Sequence, residues 1–146
     1  MNRTASATWR GGLKDGNGIL NTPSGVLNHT PYSFRTRFED QPGTNPEELI
    51  AAAHAGCFTM ALSNQLGNAG MTAEQIDTTA TVTLEKLDTG FTITKVHLDC
   101  RAKIPGAEAQ KFQQAADAAK AGCPVSKLLN AKITLEARLE GELAAD

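Results

Sequence analysis

The feature that most constrains this chain is the stretch Thr44 to Leu66, TNPEELIAAAHAGCFTMALSNQL. It carries a helix start signal. Asn45 suits a cap, Pro46 suits the first helical position, and Glu48 stands three residues after Asn45, as in a capping box. From Leu49 to Leu62 the sequence is apolar almost all round, interrupted only by His54, Gly56, Cys57 and Thr59. A helix with no polar face is expected to be buried in the middle of an assembly. Ala51, Ala52, Ala53, Ala55, Gly56 and Ala61 are small enough to let other elements approach closely. Cys57 lies well inside this helix, and by itself reads as a small core hydrophobe.

The chain has 146 residues, enough for a single domain, 1–146, with its own core. A net charge of −2 implies no nucleic-acid partner. The opening MNRTASATWR has no apolar segment of the kind that directs export, and no apolar run reaches the roughly 18 residues of a membrane span. The three cysteines, Cys57, Cys100 and Cys123, fit a cytoplasmic protein whose cysteines are mostly thiols. They form no CxxC pair, and His29, His54 and His97 are not at metal-ligand spacing, so neither a bound metal nor another bound cofactor is expected.

In chain order, Ala5–Arg10 and Gly18–Thr22 read as strands around a turn from Gly11 to Asn17. Tyr32–Phe38 alternates, with Phe34, Thr36 and Phe38 on one face and Arg35 and Arg37 on the other, and reads as a third strand. The long helix then stops at Gly67, placed as a left-handed terminal residue. Thr78–Leu87 and Phe91–Arg101 form a hairpin through Asp88-Thr89-Gly90. The apolar phase shifts between Ile93 and Val96, which predicts a bulge. Ala107–Ala121 reads as a second helix with Phe112, Ala115, Ala116 and Ala119 on one side, stopped by Gly122. Cys123-Pro124 starts a short helix to Leu129, and Lys132–Leu139 is a last strand. The tail Gly141–Asp146 is expected to fray. Antiparallel strands with helices inserted between them give an α+β fold.

Cys123 stands where a helix begins, and backbone N–H groups there lower a thiol pKa. Cys57 lies about three turns into a buried helix, where desolvation raises the pKa, so as a nucleophile it needs a cation. His54, three residues earlier on the same face, is one candidate, although a hydrogen-bonded core histidine is its simpler reading. Arg37 and Arg35 are better cations because they are always charged. Glu47 is the freer of the two acids that open the helix.

The segments GVLNHTPYSFRTRFED, GTNPEELIAAAHAGCFTMALS, IDTTATVTLEKLDTGFTITK and KAGCPVSKLL together resemble the OsmC/Ohr family of organic hydroperoxide reductases, over roughly Ala7 to Leu139. The resemblance implies an intertwined homodimer in which antiparallel sheets pack around two main helices. It implies a thiol peroxidase in which Cys57 attacks an organic hydroperoxide and becomes a sulfenic acid, and Cys123 condenses with it to a disulfide. A small dithiol or a lipoylated protein then restores the thiols. Arg37 is expected to stabilise the thiolate and the peroxide, with Glu47 holding Arg37. Cys100 lies outside the motif and reads as a strand-end residue with no role. An apolar wall near Cys57, including Phe58 and Met60, would favour organic peroxides.

Two other functions fit parts of the sequence. A protein disulfide oxidoreductase would need an exposed cysteine and usually CxxC. A non-enzymatic stress protein binding an apolar ligand could use the same pocket. Finally, Glu47 and Cys57 are ten residues apart, roughly 15 Å along a helix. One arginine is not expected to touch both in one chain, so either the helix breaks between them or the site is shared between subunits, and the absence of Pro and Gly from Leu49 to Ala55 favours sharing.

Overall fold

Short strands in antiparallel register build the N-terminal unit, Met1–Leu49. The computed structural model describes residues 1–141, so the expectation for the tail falls largely on residues 142–146, outside that range. Strands β1 (Ser6–Arg10), β2 (Asn17–Asn21) and β3 (Thr30–Tyr32) form a sheet in that order. Gly18 on β2 lies opposite both Trp9 and Tyr32. Their rings stand 5.5 Å apart between centroids, and a Cβ on Gly18 would come within 2.6 Å of Trp9. Only glycine lets those two rings meet over the strand.

The third strand is not where the alternation placed it. The strand is Thr30–Tyr32, and Phe34–Phe38 is a short helix, α1. Ser33 caps it reciprocally with Thr36: the Thr36 N–H reaches the Ser33 hydroxyl, and the Ser33 N–H reaches Thr36 Oγ1 at 2.9 Å. Positions i and i+4 share a face in a helix and in a strand alike. Phe34 and Phe38 therefore fit either reading, and their rings do meet, 5.0 Å apart. The capping hydroxyl decides between them.

Helix α2 runs unbroken from Pro46 to Asn68. Asn45 caps it, its Oδ1 accepting the Glu48 N–H at 2.8 Å, while the Glu48 carboxylate takes the Thr44 hydroxyl at 2.7 Å. The helix passes through Gly67, ends at Asn68 and is closed by Gly70, whose φ is +78°. The Met71 N–H bonds the Leu66 carbonyl and the Gly70 N–H bonds the Gly67 carbonyl, the paired closure that a left-handed terminal residue permits. Gly67 is the wrong glycine because it has no such closure to make.

The second unit begins at Ile50. Its sheet has the order β4-β5-β6, from β4 (Gln75–Leu87), β5 (Gly90–Lys103) and β6 (Lys132–Leu139). The β4–β5 hairpin is antiparallel and shifts register at Thr83/Leu84. Lys95 pairs with Thr83 and Ile93 with Leu84, so Thr94 is the extra residue of the expected bulge. In contrast to a wholly antiparallel sheet, β6 pairs with β5 in parallel. The connection that allows this contains two helices, α3 (Ala109–Gly122) and α4 (Pro124–Leu128). Gly122 closes α3 as an ordinary helical residue. The stop comes from Pro124, which drives Cys123 to φ −58°, ψ 126°.

Within this unit α2 buries one stripe, His54, Phe58, Leu62 and Leu66, four residues apart. Phe58, Leu62 and Leu66 of the stripe share one core with Val96, Leu98 and Ala102 of β5 and with Phe112, Ala116 and Ala119 of α3. The remainder of α2 is not buried in the chain as its composition suggested: Ala52, Ala53, Gly56 and Met60 are exposed. Leu62→Ala should cost about 2–5 kcal/mol, because the fully buried site leaves a cavity, and should read as a lower urea midpoint by circular dichroism.

Candidate active site

The four residues singled out in the sequence fall into two pairs, each complete within its own unit. In the N-terminal unit, Arg37 on α1 and Glu47 in the first turn of α2 form a two-point ion pair. Arg37 Nε donates to Glu47 Oε1 at 2.9 Å and Nη2 donates to Oε2 at 3.0 Å. The Glu47 side chain is 13% exposed and that of Arg37 36%. A fork geometry of this kind fixes the plane of the guanidinium as well as its position. The Arg37 guanidinium also stands over the Phe38 ring, 5.1 Å from its centroid. A cleft of about 260 Å³ beside it is lined by Trp9, Leu13, Tyr32, Phe34 and Phe38. The helical turn, not a strand, is what turns Arg37 toward Glu47.

In the second unit, Cys57 on α2 and Cys123 at the α3–α4 join are both free thiols, and their sulfurs share a hydrogen bond at 2.7 Å. Cys123 is fully buried. Cys57 is half-buried and lines an open groove with Met60, Ala61, Asn64, Gly122 and Pro124. Phe58, expected in the same wall, points into the core instead. Cys100 lies within the central strand β5, in register with Thr78 and Ala137, and is buried.

Burial is the largest influence on both thiols and pushes both upward. At Cys57 the hydrogen bond with Cys123 adds to it, the Val125 N–H offsets part of it, and the thiol stays above its ordinary range. At Cys123 burial is outweighed. Hydrogen bonds from Cys57, from the Ser126 N–H and hydroxyl, and from the Val125 N–H bring that thiol below its ordinary range. The negative charge of the pair therefore rests more easily on Cys123, and Cys57 needs help from a cation.

His54 does not supply it. The ring is fully buried and its Nε2 lies 2.7 Å from the Ser126 hydroxyl on α4. Burial lowers its pKa, which favours the neutral ring. Ser126 had no place in the sequence reading. The only signal was its position three residues after Cys123, where a hydroxyl on the next helical turn reaches back to the start of the helix. Among the described residues no cluster of three His, Cys, Asp or Glu is placed to hold a metal ion.

These influences predict a two-step titration. In a Cys100→Ser background, thiolate absorbance should rise once below the ordinary cysteine range and once above it, as a coupled pair requires. Cys57→Ala removes a hydrogen bond that lowers the Cys123 pKa, so the remaining step should move up. Two thiols titrating together in the ordinary range would contradict the arrangement.

Residues 38–138 match the family described as OsmC-like protein. The chain is 54% identical over 140 residues to peroxiredoxin OsmC of Escherichia coli, covering 96% of this chain and 98% of that one. It is 28% identical to the organic hydroperoxide resistance protein OhrB of Bacillus subtilis, covering 94% and 97%. A solved OsmC-like protein from Vibrio cholerae superposes with a TM-score of 0.76 at 18% identity, covering 94% of this chain and 99% of that one, which shows a common α+β fold. With the family matched across most of its length and a relative this similar, the chain belongs to the OsmC-like protein family.

Proposed function

We propose that this protein is a thiol peroxidase that reduces organic hydroperoxides to alcohols. The observation that carries the reading is the 2.7 Å approach of two free thiols 66 residues apart in sequence. The names of its relatives, a peroxiredoxin and a hydroperoxide resistance protein, support the same chemistry.

In the proposed cycle the Cys57 thiolate attacks one oxygen of ROOH. The O–O bond breaks, RO⁻ leaves and takes a proton to become ROH, and Cys57 becomes a sulfenic acid. Cys123 then attacks the Cys57 sulfur, hydroxide leaves and takes the Cys123 proton as water, and a disulfide forms. A dithiol, a lipoyl group by the family resemblance, supplies the two electrons that restore the thiols. Arg37 stabilises the Cys57 thiolate and the developing charge on the peroxide oxygen. Glu47 holds the guanidinium in one plane for that task.

The proposed working unit is a homodimer in the reducing cytoplasm. The exposed apolar face of α2, with Ala52, Ala53, Gly56 and Met60, is suited to cover by a second copy. The unbroken run of α2 supports the further proposal that Arg37 and Glu47 of one chain complete the site around Cys57 and Cys123 of the other.

Stopped-flow mixing with cumene hydroperoxide tests the activity: a peroxidase consumes the peroxide and loses two thiols per chain, whereas a binder of apolar ligands does neither. Peptide mapping should then find Cys57 linked to Cys123 and Cys100 free.

Cys57→Ser should abolish turnover. Cys123→Ser should react once and accumulate the sulfenic acid, detectable with a dimedone probe. Arg37→Ala should slow oxidation of Cys57 by about a hundredfold. Mixing Cys57→Ser chains with Arg37→Ala chains should restore about one working site of two per mixed dimer if the site is shared. No recovery, with subunit exchange verified, would place the whole site in one chain.

A further inference from the structure

The Cys57–Cys123 approach is one of two contacts between the same pair of segments. One turn earlier on α2, His54 Nε2 lies 2.7 Å from the Ser126 hydroxyl on α4. We infer that this His54–Ser126 contact is a clasp that holds Cys123 within bonding reach of Cys57, making His54 and Ser126 positioning residues for disulfide closure. The inference rests on the disulfide step proposed above and deepens it.

Spacing makes the two contacts a unit. His54 and Cys57 are three residues apart on α2, and Cys123 and Ser126 are three residues apart at the start of α4. Residues so spaced sit one above the other on a helix face, about 4.5 Å apart along the axis. The two contacts, each 2.7 Å long, are therefore successive rungs between the same segments. They run antiparallel: the rung before Cys57 on α2 is the rung after Cys123 on α4. One rung would let a short element swing about it, whereas two fix its angle.

Helix α4 needs such a hold. It has five residues, none of them buried, and Leu128 is 78% exposed. Val125 and Leu129 are only partly buried against the core. A helix this short has little stability of its own. The Ser126 hydroxyl supplies its side-chain hydrogen bond to α2.

The histidine itself breaks the pattern around it. His54 fills a position of the fully buried stripe otherwise taken by Phe58, Leu62 and Leu66. Its Nδ1 is buried and has no hydrogen-bond partner among the described residues. A buried ring with one polar atom unpaired is destabilising where leucine or phenylalanine would not be. What histidine adds at that position is the bond to Ser126, one turn from the thiol.

The clasp acts at closure. When Cys123 attacks the Cys57 sulfenic acid, the S–S bond forms, the S–O bond breaks, and hydroxide leaves with the Cys123 proton as water. A second hydroperoxide competes for the same sulfur, transferring one oxygen to give the sulfinic acid and leaving as ROH. A thiol held in place closes in a unimolecular step at high effective concentration, and loosening its support lowers that concentration. The clasp therefore sets how often Cys57 closes before it is oxidised again.

The effective concentration can be measured without peroxide, in the full chain carrying Cys100→Ser and equilibrated with glutathione mixtures from both the reduced and the oxidised side. Oxidised glutathione takes two electrons from Cys57 and Cys123, and two reduced glutathiones are released as the disulfide forms. Alkylation and mass spectrometry give the ratio of closed to open chain. Ser126→Ala and His54→Phe should each lower the effective concentration about fivefold, the worth of one hydrogen bond. The double variant should lose no more than either alone, because both remove the same contact. Ser126→Thr, which keeps the hydroxyl, should restore the parent value. Leu139→Ala, at a buried position of β6 outside both rungs, should lower the urea midpoint and leave the effective concentration unchanged. With excess cumene hydroperoxide, Ser126→Ala should accumulate about fivefold more sulfinic acid per turnover than the parent, following the same loss. An unchanged or raised effective concentration in Ser126→Ala, or an equal fall in Leu139→Ala, would overturn the inference. Failure of oxidised glutathione to join Cys57 to Cys123 in the parent chain would overturn the disulfide step itself. The expected glutathione results without consumption of cumene hydroperoxide would support the clasp and overturn the peroxidase reading alone.

Discussion

Burial of one stripe of α2 governs how this protein presents its chemistry. His54, Phe58, Leu62 and Leu66 recur every fourth residue and are all fully buried. Their packing on β5 and α3 fixes the rotation of the helix. Cys57 follows His54 by three positions and precedes Phe58 by one, so it falls at the seam between the buried stripe and the open groove. It is thereby dry enough to touch Cys123 and open enough to be reached from outside. Rotating α2 by one residue, about 100°, would move the thiol away from that seam. The alanines and Gly56 keep the rest of the helix slender without specifying any contact of their own within the chain.

The thiol pair then depends on a backbone event far from α2 in sequence. Pro124 cannot follow a helical residue comfortably, so α3 stops at Gly122 and Cys123 takes an extended conformation. The chain restarts at once as α4, and the amides of Val125 and Ser126 turn toward the Cys123 sulfur. The same proline thus ends one helix, begins the next and aims donors at a thiol. The parallel pairing of β6 with β5 is part of this arrangement, because the α3–α4 crossover that carries Cys123 is also what returns β6 in the same direction as β5.

Much of this was legible in the residues themselves. Strand β6, the four buried positions of α3, the Asn45 cap and the bulge near Thr94 follow from periodicity and capping alone. The positions that were misread are those where two local rules give the same signature. Phe34 and Phe38 satisfy both the alternation of a strand and the repeat of a helix, and only the Ser33–Thr36 pair separates the two. Gly67 and Gly70 both follow an apolar run, and the choice rests on which one lets Met71 return to the Leu66 carbonyl. At the site, the cysteine motifs pointed to both sulfurs, but their separation and the opposite drift of their pKa values come from tertiary contacts. Ser126 was invisible because a serine in a short surface helix carries no signal until a buried histidine is found against it.

The contrast between the groups serving the two sulfurs follows from the cycle proposed for them. In that cycle negative charge is needed on Cys57 when peroxide is attacked and on Cys123 when it attacks the Cys57 sulfenic acid, never on both together. At 2.7 Å, two thiolates would repel each other strongly in so dry a place. A permanent cation beside each sulfur would favour that doubly charged state and draw a second proton off the pair. Neutral donors avoid it. The Ser126 hydroxyl and the backbone amides strengthen as charge develops on Cys123 but carry none of their own, and burial disfavours a charge on His54 behind them. A full positive charge is then required only for Cys57, the sulfur whose surroundings raise its pKa, and Arg37, fixed by Glu47, is suited to provide it. Distributing one cation and one set of neutral donors between two adjacent sulfurs lets the charge move from one to the other without ever being doubled.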